Sequence, residues 1–361
     1  MGFCLHNSNP HIFPVANLSE NLRQFDAIID VRSPAEFALD HIPGSINLPV
    51  LNNEERIEIG TLYKQVSPFA AKKLGASYVS RNIARHLEES LIDFPREWRP
   101  LIYCWRGGER SGAFTHILNR IGWKAMQLEH GYQGFRRVVI DDLEEAAKSF
   151  QFQVICGMTG SGKTRILQEL HALGAQVLDL EALAIHRGSV LGNEPDIEQP
   201  SQKGFETNLW AALNRLDPAK IVFVESESKK VGGLHIPDAL MESIRNGRCI
   251  ELRSDTATRV SWLMHEYHHF LSDPESFKNK LALLTSRYGK VQIAKWDDAI
   301  DSGRFAQLVE ELLVLHYDPS YQSSIVRNFP NYQEDCFVTL NSDSDDAFTQ
   351  AAKNIITQVG A

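Results

Sequence analysis

Residues 152–164 read FQVICGMTGSGKT, an apolar run followed by a glycine-rich loop that ends in Lys-Thr. The spacing Gly157-x4-Gly162-Lys163-Thr164 is that of a Walker A loop, which requires a strand before it and a helix after it. Both patterns are present, because 152–156 is apolar and the residues after Thr164 repeat apolar side chains at helical spacing. The stretch therefore predicts an α/β domain built on a parallel sheet.

A Walker loop binds a diphosphate. Its backbone amides surround the phosphates, the lysine neutralises them, and the N-terminus of the following helix favours their negative charge. The residues that we expect to bind the diphosphate are Gly157, Thr159, Gly160, Ser161, Gly162, Lys163 and Thr164. Two acids at predicted strand ends, Asp179 and Glu225, compete for the role of an acid that serves Mg²⁺ beside Thr164. Either of them could instead cap a helix.

A second glycine-rich loop, CWRGGERS at residues 104–111, lies between another predicted strand, 101–104, and a predicted helix, 111–121. The pKa of a cysteine thiol falls beside cations and at a helix N-terminus, and the thiolate is the nucleophile. Successive backbone amides in a glycine-rich turn also bind anions. We therefore predict Cys104 as a catalytic thiolate. The residues expected to hold a tetrahedral oxyanion against it are Trp105, Arg106, Gly107, Gly108, Arg110 and Ser111.

Length and composition suit a two-domain enzyme. A chain of 361 residues suggests about two domains, and we place them at 12–137 and 152–361 with an acidic helical linker at 138–151. The five cysteines are scattered, so neither a disulfide framework nor a zinc ribbon is predicted. Residues 265–269 fit an HExxH zinc pattern without a third ligand, and we assign no metal ligand there. No apolar run is long enough to span a membrane, and no secretory signal is evident, so we expect a cytoplasmic protein.

The first region resembles the rhodanese homology domain. The matching pieces, in chain order, are residues 30–37, residues 41–49, the Cys104 loop and residues 129–135. One feature departs from sulfur-carrying rhodaneses, which usually have four residues between the cysteine and the closing arginine. Here five residues separate Cys104 from Arg110, and Ser111 follows, as in the phosphatase-like and arsenate-reducing relatives. The resemblance implies an N-terminal rhodanese-like parallel-sheet domain followed by a P-loop NTPase-like parallel-sheet domain.

The order of the two loops, together with residues 179–184 and 186–189, resembles the tRNA 2-selenouridine synthase family. The resemblance implies that 2-thiouridine at the tRNA wobble position becomes 2-selenouridine through S-geranyl-2-thiouridine, with geranyl diphosphate and selenophosphate as substrates. It further implies selenophosphate at the Cys104 loop, where the thiolate could accept selenium, and geranyl diphosphate or a nucleotide at the Walker loop. No tightly bound cofactor is expected, although Mg²⁺ can be required.

The implied partners are the tRNA and a protein that supplies selenophosphate, with no membrane involved. A net charge of −9 mildly disfavours nucleic acid, so the tRNA would need a local basic surface. The cations that we expect to form it are Arg136, Arg137, Lys229 and Lys230. The sequence does not locate a pocket for the geranyl chain.

Three other functions fit parts of the pattern. A rhodanese-fold phosphatase or arsenate reductase with an accessory nucleotide-binding domain would use the Cys-x5-Arg-Ser spacing. A P-loop kinase with a regulatory rhodanese-like domain would use only the Walker loop. A redox-responsive scaffold would use neither loop for catalysis, which makes the presence of both hard to explain.

Overall fold

A computed structural model describes residues 11–188, 192, 197–268 and 273–360. The chain forms two compact units. The first unit takes the residues up to 143 together with 200–214, and the second unit takes 144–199 and 215 onward. None of the helices in the described ranges is long and apolar enough to cross a membrane.

The first unit is built on a five-stranded parallel sheet. Its strands are β1 (Ile12–Phe13), β2 (Ala27–Asp30), β3 (Ile46–Asn47), β4 (Pro100–Tyr103) and β5 (Met126–Leu128). The order across the sheet is β1-β5-β4-β2-β3, so β4 is the central strand. All of β4 is buried, as expected for a parallel strand that is covered on both faces. Its carboxyl end delivers Cys104 to the edge of the sheet where ligands bind in such folds.

The helices of the first unit follow the predicted alternation. They are α1 (Leu18–Asn21), α2 (Pro34–Leu39), α3 (Asn53–Gln65), α4 (Pro68–His86), α5 (Glu109–Ile121) and the start of α6 (Gly131–Ser149), with short 3₁₀ turns at Val15–Asn17 and Leu22–Gln24 and a π-helical turn at Leu87–Leu91. The predicted linker helix, 138–151, is the later part of α6, and the division between the units falls inside this helix.

The second unit has its own five-stranded parallel sheet, in the order β12-β11-β6-β8-β7, and a small antiparallel hairpin. Its strands are β6 (Gln151–Cys156), β7 (Gln176–Leu178), β8 (Ile221–Glu225), β9 (Lys230–Val231), β10 (Leu234–His235), β11 (Arg248–Arg253) and β12 (Phe337–Thr339). β6 is central and leads into the Walker loop, which α7 follows directly. The two parallel sheets confirm the predicted α/β fold class.

The remaining helices complete the second unit, apart from one that packs in the first. They are α7 (Lys163–Ala172), α8 (Leu180–Ala184), α9 (Gln202–Leu213), α10 (Asp238–Arg245), α11 (Thr256–Glu266), α12 (Pro274–Ala282), α13 (Thr285–Asp301), α14 (Phe305–Leu312), α15 (Asp318–Asn328) and α16 (Asp345–Val359), with a π-helical turn at Leu313–Tyr317. Helices α11 to α15 form a helical region beside the sheet, with a core of its own around the fully buried Trp296.

Three features differ from the sequence-based boundaries. Segment 200–214, which we assigned to the second domain, belongs to the first unit. The reason is visible in α9, since Trp210 packs edge-on against Phe135 and donates a 2.8 Å hydrogen bond to Asp142. The apolar pattern of residues 277–287 predicts one helix, but the structure has two, because α12 ends at Ala282. The pattern of residues 258–271 also predicts one helix, whereas α11 ends at Glu266, and His269 of the HExxH pattern lies outside the described residues.

Candidate functional site

Cys104 lies immediately after β4 and is buried, with 4% of its surface exposed. Its Sγ accepts a hydrogen bond from the Ser111 hydroxyl at 3.2 Å. The Gln127 side-chain amide donates to that same hydroxyl oxygen at 3.1 Å, which orients the hydroxyl toward the sulfur. Ser111 is in the first turn of α5, so the thiol faces the N-terminal end of this helix. The arrangement provides the helix terminus and the donor that a thiolate requires.

The pKa of Cys104 is lowered from its ordinary value. Burial opposes ionisation, but the charge of Arg110 and hydrogen bonds from Ser111 and from the backbone N–H of Arg106 outweigh it. Opposite charge and donors that favour the charged form are the general causes of such a shift. Of the described cysteines, only Cys104 lies at a glycine- and arginine-rich loop. Its surroundings favour the thiolate.

Glu36 sets the position of Arg110, and the sequence did not identify it as a site residue. The Arg110 guanidinium donates to Glu36 at 2.9 Å, and both side chains are mostly buried. Burial alone would raise the pKa of Glu36, but Arg110 outweighs this effect and the pKa is lowered. Glu36 also completes the capping box of α2, because its carboxylate accepts from the Ser33 N–H. The carboxylate thus tethers the arginine and offsets part of its charge.

Glycine is required in the cysteine loop. Gly107 has a φ of +65°, and a Cβ there would lie 2.6 Å from the Leu128 carbonyl oxygen. The Gln127 amide also donates to the Gly107 carbonyl.

The side chains of Trp105 and Arg106 contact residues after β5: the indole stacks on Tyr132 with ring centroids 5.3 Å apart, and Arg106 Nε donates to Gln133 at 3.1 Å. Gly108 is exposed at the N-cap position of α5.

The Walker loop has the predicted strand–loop–helix context. Gly160 and Gly162 both have a φ of +80°, and a Cβ at Gly162 would lie 2.5 Å from the ring of Phe348. Lys163 Nζ donates to the Gly157 carbonyl at 2.9 Å, inside its own loop. The buried Ser161 hydroxyl has no hydrogen-bond partner in the described part of the chain. The loop therefore retains a donor that a phosphate oxygen could satisfy.

Residues from the helical region hold the Walker loop in place, and the sequence analysis missed them. The Tyr321 hydroxyl accepts from the Gly157 N–H at 2.7 Å. Arg259 donates to the Thr159 carbonyl at 2.9 Å and forms a 2.5 Å ion pair with Asp318. Arg259 is 3% exposed. The two contacts with the loop join residues 164 and 100 positions apart, so no local pattern could have indicated them.

Three glutamates meet beside Thr164. Oxygens of Glu181, Glu225 and Glu227 lie within 4.8 Å of one another. The Thr164 hydroxyl contacts the carboxylates of Glu181 and Glu225, at 3.0 and 3.4 Å. The other oxygen of Glu225 is buried and has no hydrogen-bond partner among the described residues. The sequence had named Glu225 but neither of the other two.

Asp179, the competing acid, acts as a helix cap. Its Oδ1 accepts from the Ala182 N–H at 2.8 Å at the start of α8. Of the two predicted acids, only Glu225 contacts Thr164 in the structure. The alternative role that we considered for Asp179 is therefore the one that the geometry supports.

The glutamate cluster would be electrostatically unfavourable if all three carboxylates were ionised and no cation lay among them. Burial, and then the charge of Glu227, raises the pKa of Glu181 to about 8. Burial and the charges of the other two glutamates raise the pKa of Glu225 well above its ordinary value, and burial raises that of Glu227. Carboxylates in such an arrangement hold a proton or a cation.

A cleft of about 690 Å³ opens beside the Walker loop. Its lining includes the polar groups of Lys163, Thr164 and the glutamate cluster. Aromatic and aliphatic residues also line it: Ile185, Trp262, Leu263, Tyr267, Tyr317 and Tyr321. The volume is in the range of small-molecule sites, and the cleft can accept a ligand with one anionic and one apolar end.

The four predicted tRNA-binding cations differ in burial and in their partners. Arg136 is 8% exposed and is engaged by Glu206, by Thr207 at 3.0 Å and by the Lys203 carbonyl. These contacts attach α6 to α9 and occupy the Arg136 guanidinium within the first unit. Lys229 forms a 2.5 Å ion pair with Asp238. Arg137 and Lys230 are exposed.

Comparison with known proteins gives two family matches. Residues 15–137 match the rhodanese-like domain, and residues 150–286 match the tRNA 2-selenouridine synthase AAA domain. A tRNA 2-selenouridine synthase of Nitrosomonas europaea is 38% identical over 244 residues, which are 66% of this chain and 63% of that relative. The chain thus spans less than two thirds of this relative's length. One of Shewanella halifaxensis is 32% identical over 329 residues, covering 82% of this chain and 88% of the relative.

Proposed function

The chain belongs to the tRNA 2-selenouridine synthase family, and we propose that it replaces the sulfur of 2-thiouridine at the tRNA wobble position with selenium in two steps. In the first step the sulfur is geranylated by geranyl diphosphate, and in the second it is displaced by selenium from selenophosphate. The observation that carries the proposal is the presence of two glycine-rich loops suited to oxyanions, one around a cysteine of lowered pKa and one beside a cleft with a partly aromatic lining.

The Walker loop would bind the diphosphate of the prenyl donor. The C2 sulfur attacks the first carbon of the geranyl group, the carbon–oxygen bond breaks, and diphosphate leaves with the electron pair. The N3 proton of the base passes to solvent. Lys163 would then exchange its contact with the Gly157 carbonyl for the developing charge on the leaving group, as preorganised cations do in transition states. The aromatic and aliphatic residues that line the cleft would contact the ten-carbon chain and exclude water from it.

A divalent cation fits this site. The glutamate cluster would repel a diphosphate unless a cation lay between them, and the buried Glu225 oxygen without a partner is an available ligand. Oxygen donors of this kind suit Mg²⁺, which usually binds through one or two carboxylates and substrate phosphates. Glu181, Glu225, Glu227 and Thr164 would hold it. When bound there, Mg²⁺ supplies neutralisation of the phosphate charge.

For the second step we assign phosphoryl transfer to Cys104. Direct acceptance of selenium by the thiolate would require an oxidant. The selenium of selenophosphate is fully reduced, whereas selenium bonded to sulfur is in a higher oxidation state. Attack of Sγ on phosphorus balances without one: the sulfur–phosphorus bond forms, the phosphorus–selenium bond breaks, and hydroselenide leaves with the electron pair. The five-residue spacing from Cys104 to Arg110, typical of loops that hold a full phosphate, and the Ser111 donor support this chemistry.

Hydroselenide then attacks C2 of S-geranyl-2-thiouridine. The carbon–selenium bond forms, the carbon–sulfur bond breaks, and geranylthiolate leaves and takes up a proton. Water finally cleaves the sulfur–phosphorus bond, which releases phosphate and regenerates Cys104. Geranylation makes this exchange feasible because it converts the thiocarbonyl sulfur into a leaving group.

The test is mass spectrometry of nucleosides from 2-thiouridine tRNA incubated with the protein, Mg²⁺ and each co-substrate. Geranyl diphosphate alone should give S-geranyl-2-thiouridine, and addition of selenophosphate should give 2-selenouridine. An unchanged thiouridine peak despite bound tRNA would contradict the proposal. Turnover of an aryl phosphate in that case would support the phosphatase alternative, and ATP in place of geranyl diphosphate tests the nucleotide alternative.

A further inference from the structure

The hairpin formed by α3 and α4 has a charge opposite to that of the whole chain. The protein has 46 acidic residues against 37 Lys and Arg, yet residues 59–87 contain no Asp or Glu. The cations in this segment are Lys64, Lys72, Lys73, Arg81 and Arg85. The two helices are joined by only two residues and pack against each other, so the cations lie on one compact projection. Such a cluster on an acidic protein favours a polyanionic partner.

The three lysines near the turn are available for binding. Lys64, Lys72 and Lys73 are exposed, and none of the ion pairs in the described part of the chain involves them. Lys73 instead lies 5.1 Å from the ring centroid of Phe69. Arg81 is 63% exposed, lies 3.9 Å from Glu55 and places its guanidinium 4.9 Å from the Tyr78 ring centroid. The first half of α3 also carries Glu54, Glu55 and Glu58, so the charge that is not neutralised by ion pairs in the described structure is that of the three lysines near the turn.

Large apolar side chains are exposed among these lysines. Tyr63 is 55% exposed, Val66 is 73% exposed and Phe69 is 70% exposed. The phenyl ring of Phe69 packs against no other aromatic ring in the described structure, and its known contact is with the Lys73 ammonium. Aromatic rings interleaved with cations are a combination that binds unpaired nucleotides, because bases stack on the rings while phosphates pair with the charges.

The base of the hairpin adjoins the cysteine loop. Asn53, at the start of α3, accepts from the Ala35 N–H of α2 at 2.9 Å. Arg56 lies 3.7 Å from Glu36, the carboxylate that tethers Arg110. From there α3 extends for 13 residues, or about 20 Å at 1.5 Å per residue. A polyanion lying along the hairpin would thus extend to the edge of the Cys104 site.

We propose that the α3–α4 hairpin is the surface that holds the tRNA substrate, with the three lysines on backbone phosphates and the aromatic side chains of Tyr63 and Phe69 against unpaired bases. The proposal rests on the proposed function for the identity of the polyanion. It replaces the assignment of Arg136, which is buried. It also gives the exposed apolar residues at the turn a role that packing does not provide.

The experiment measures Kd for a 2-thiouridine tRNA over a series of KCl concentrations. The variant Lys64→Ala/Lys72→Ala/Lys73→Ala should bind more weakly, and its salt dependence, the slope of log K against log[KCl], should be lower by about 2 to 3. The matched control, Lys148→Ala/Lys220→Ala/Lys353→Ala, removes the same charge at exposed positions elsewhere and should keep the wild-type slope. Phe69→Ala should weaken binding about tenfold with the slope unchanged.

Since all these side chains are exposed, the variants should keep the wild-type melting temperature, which is checked first. Equal slopes for the hairpin and control variants would overturn the proposal and leave the proposed function intact. The proposal would also be overturned, with the proposed function intact, if Phe69→Ala changed self-association in light scattering without changing tRNA affinity. If the wild-type protein bound no tRNA, the proposed function itself would fail.

Discussion

At the scale of single residues, the chemistry of the first unit depends on the charge next to Cys104. Burial raises the pKa of a thiol, and only the opposing effects of Arg110, Ser111 and backbone amides lower it. Arg110 is in turn tethered by Glu36. Removal of each of these residues should therefore change the pKa of Cys104 in a predictable direction.

Arg110→Ala should raise the pKa of Cys104, because it removes the principal opposing charge. The pKa is read from the pH at which the rate of iodoacetamide alkylation is half its maximum. A lowered thiol pKa means that the reactive form persists to lower pH in the wild-type protein, so the variant's profile should move to higher pH. Glu36→Gln should move it the other way, since it leaves Arg110 without a counter-charge.

Arg106→Ala is the control for this pair, because the side chain of Arg106 contacts Gln133 and only its backbone N–H acts on the thiol. Its profile should stay close to that of the wild type. Identical profiles for Arg110→Ala and the wild type would show that Arg110 does not set the thiol pKa.

Glu225→Gln should abolish stabilisation of the protein by Mg²⁺. In the wild type, Mg²⁺ at a hundred times its Kd should stabilise the fold by about 2 to 3 kcal/mol, and EDTA should remove this effect. The amide lacks the charge that favours a cation, and it also relieves repulsion within the glutamate cluster. Without Mg²⁺ the variant should therefore be at least as stable as the wild type in thermal melting.

Asp179→Ala serves as the comparison, because Asp179 caps α8. It should cost about 1 kcal/mol of stability and keep the full response to Mg²⁺. A Glu225→Gln variant that still gained stability from Mg²⁺ would place the cation elsewhere.

At the scale of secondary-structure elements, the Walker loop depends on the helices that flank it. The buried Arg259–Asp318 pair joins α11 to α15, and Arg259 reaches the Thr159 carbonyl from there. Burial makes such a pair sensitive to the loss of one partner, whereas an exposed pair of the same length is nearly neutral.

Asp318→Asn should destabilise the protein by about 3 kcal/mol in urea unfolding, because it leaves the Arg259 charge buried without a partner. The matched control is Asp298→Asn, which breaks an ion pair of the same 2.5 Å length between exposed side chains. The control should cost less than about 1 kcal/mol. Equal costs for the two variants would contradict a structural role for the buried pair.

Elements were predictable from the sequence where local rules determine them. The strands β4 and β6 were found because parallel strands that are covered on both faces are short apolar runs. The split between α12 and α13 was missed because the apolar pattern continues across it. The place of α9 in the first unit was missed for a different reason. It depends on contacts such as Arg136 with Thr207, which lie 71 positions apart.

At the scale of the whole molecule, the two loops were predictable, but their surroundings were not. The Walker loop and the Cys-x5-Arg-Ser loop are each one uninterrupted stretch of sequence, so each is recognised from its own spacing. Only the folding of the chain places other residues next to these loops: Glu36, Glu181, Glu227 and Tyr321. For the same reason, the buried role of Arg136 could not be read from its charge.

Two loops with different chemistry predict two separable losses of activity. The measurement that tests this most directly is a time course of tRNA nucleosides, followed by mass spectrometry, for the wild type, Cys104→Ser and Lys163→Ala with geranyl diphosphate, selenophosphate and Mg²⁺. Cys104→Ser should stop at S-geranyl-2-thiouridine. Lys163→Ala should leave 2-thiouridine unchanged, yet it should form 2-selenouridine when supplied with tRNA that is already geranylated. Formation of 2-selenouridine by Cys104→Ser, or normal geranylation by Lys163→Ala, would contradict the assignment of the two steps to the two loops.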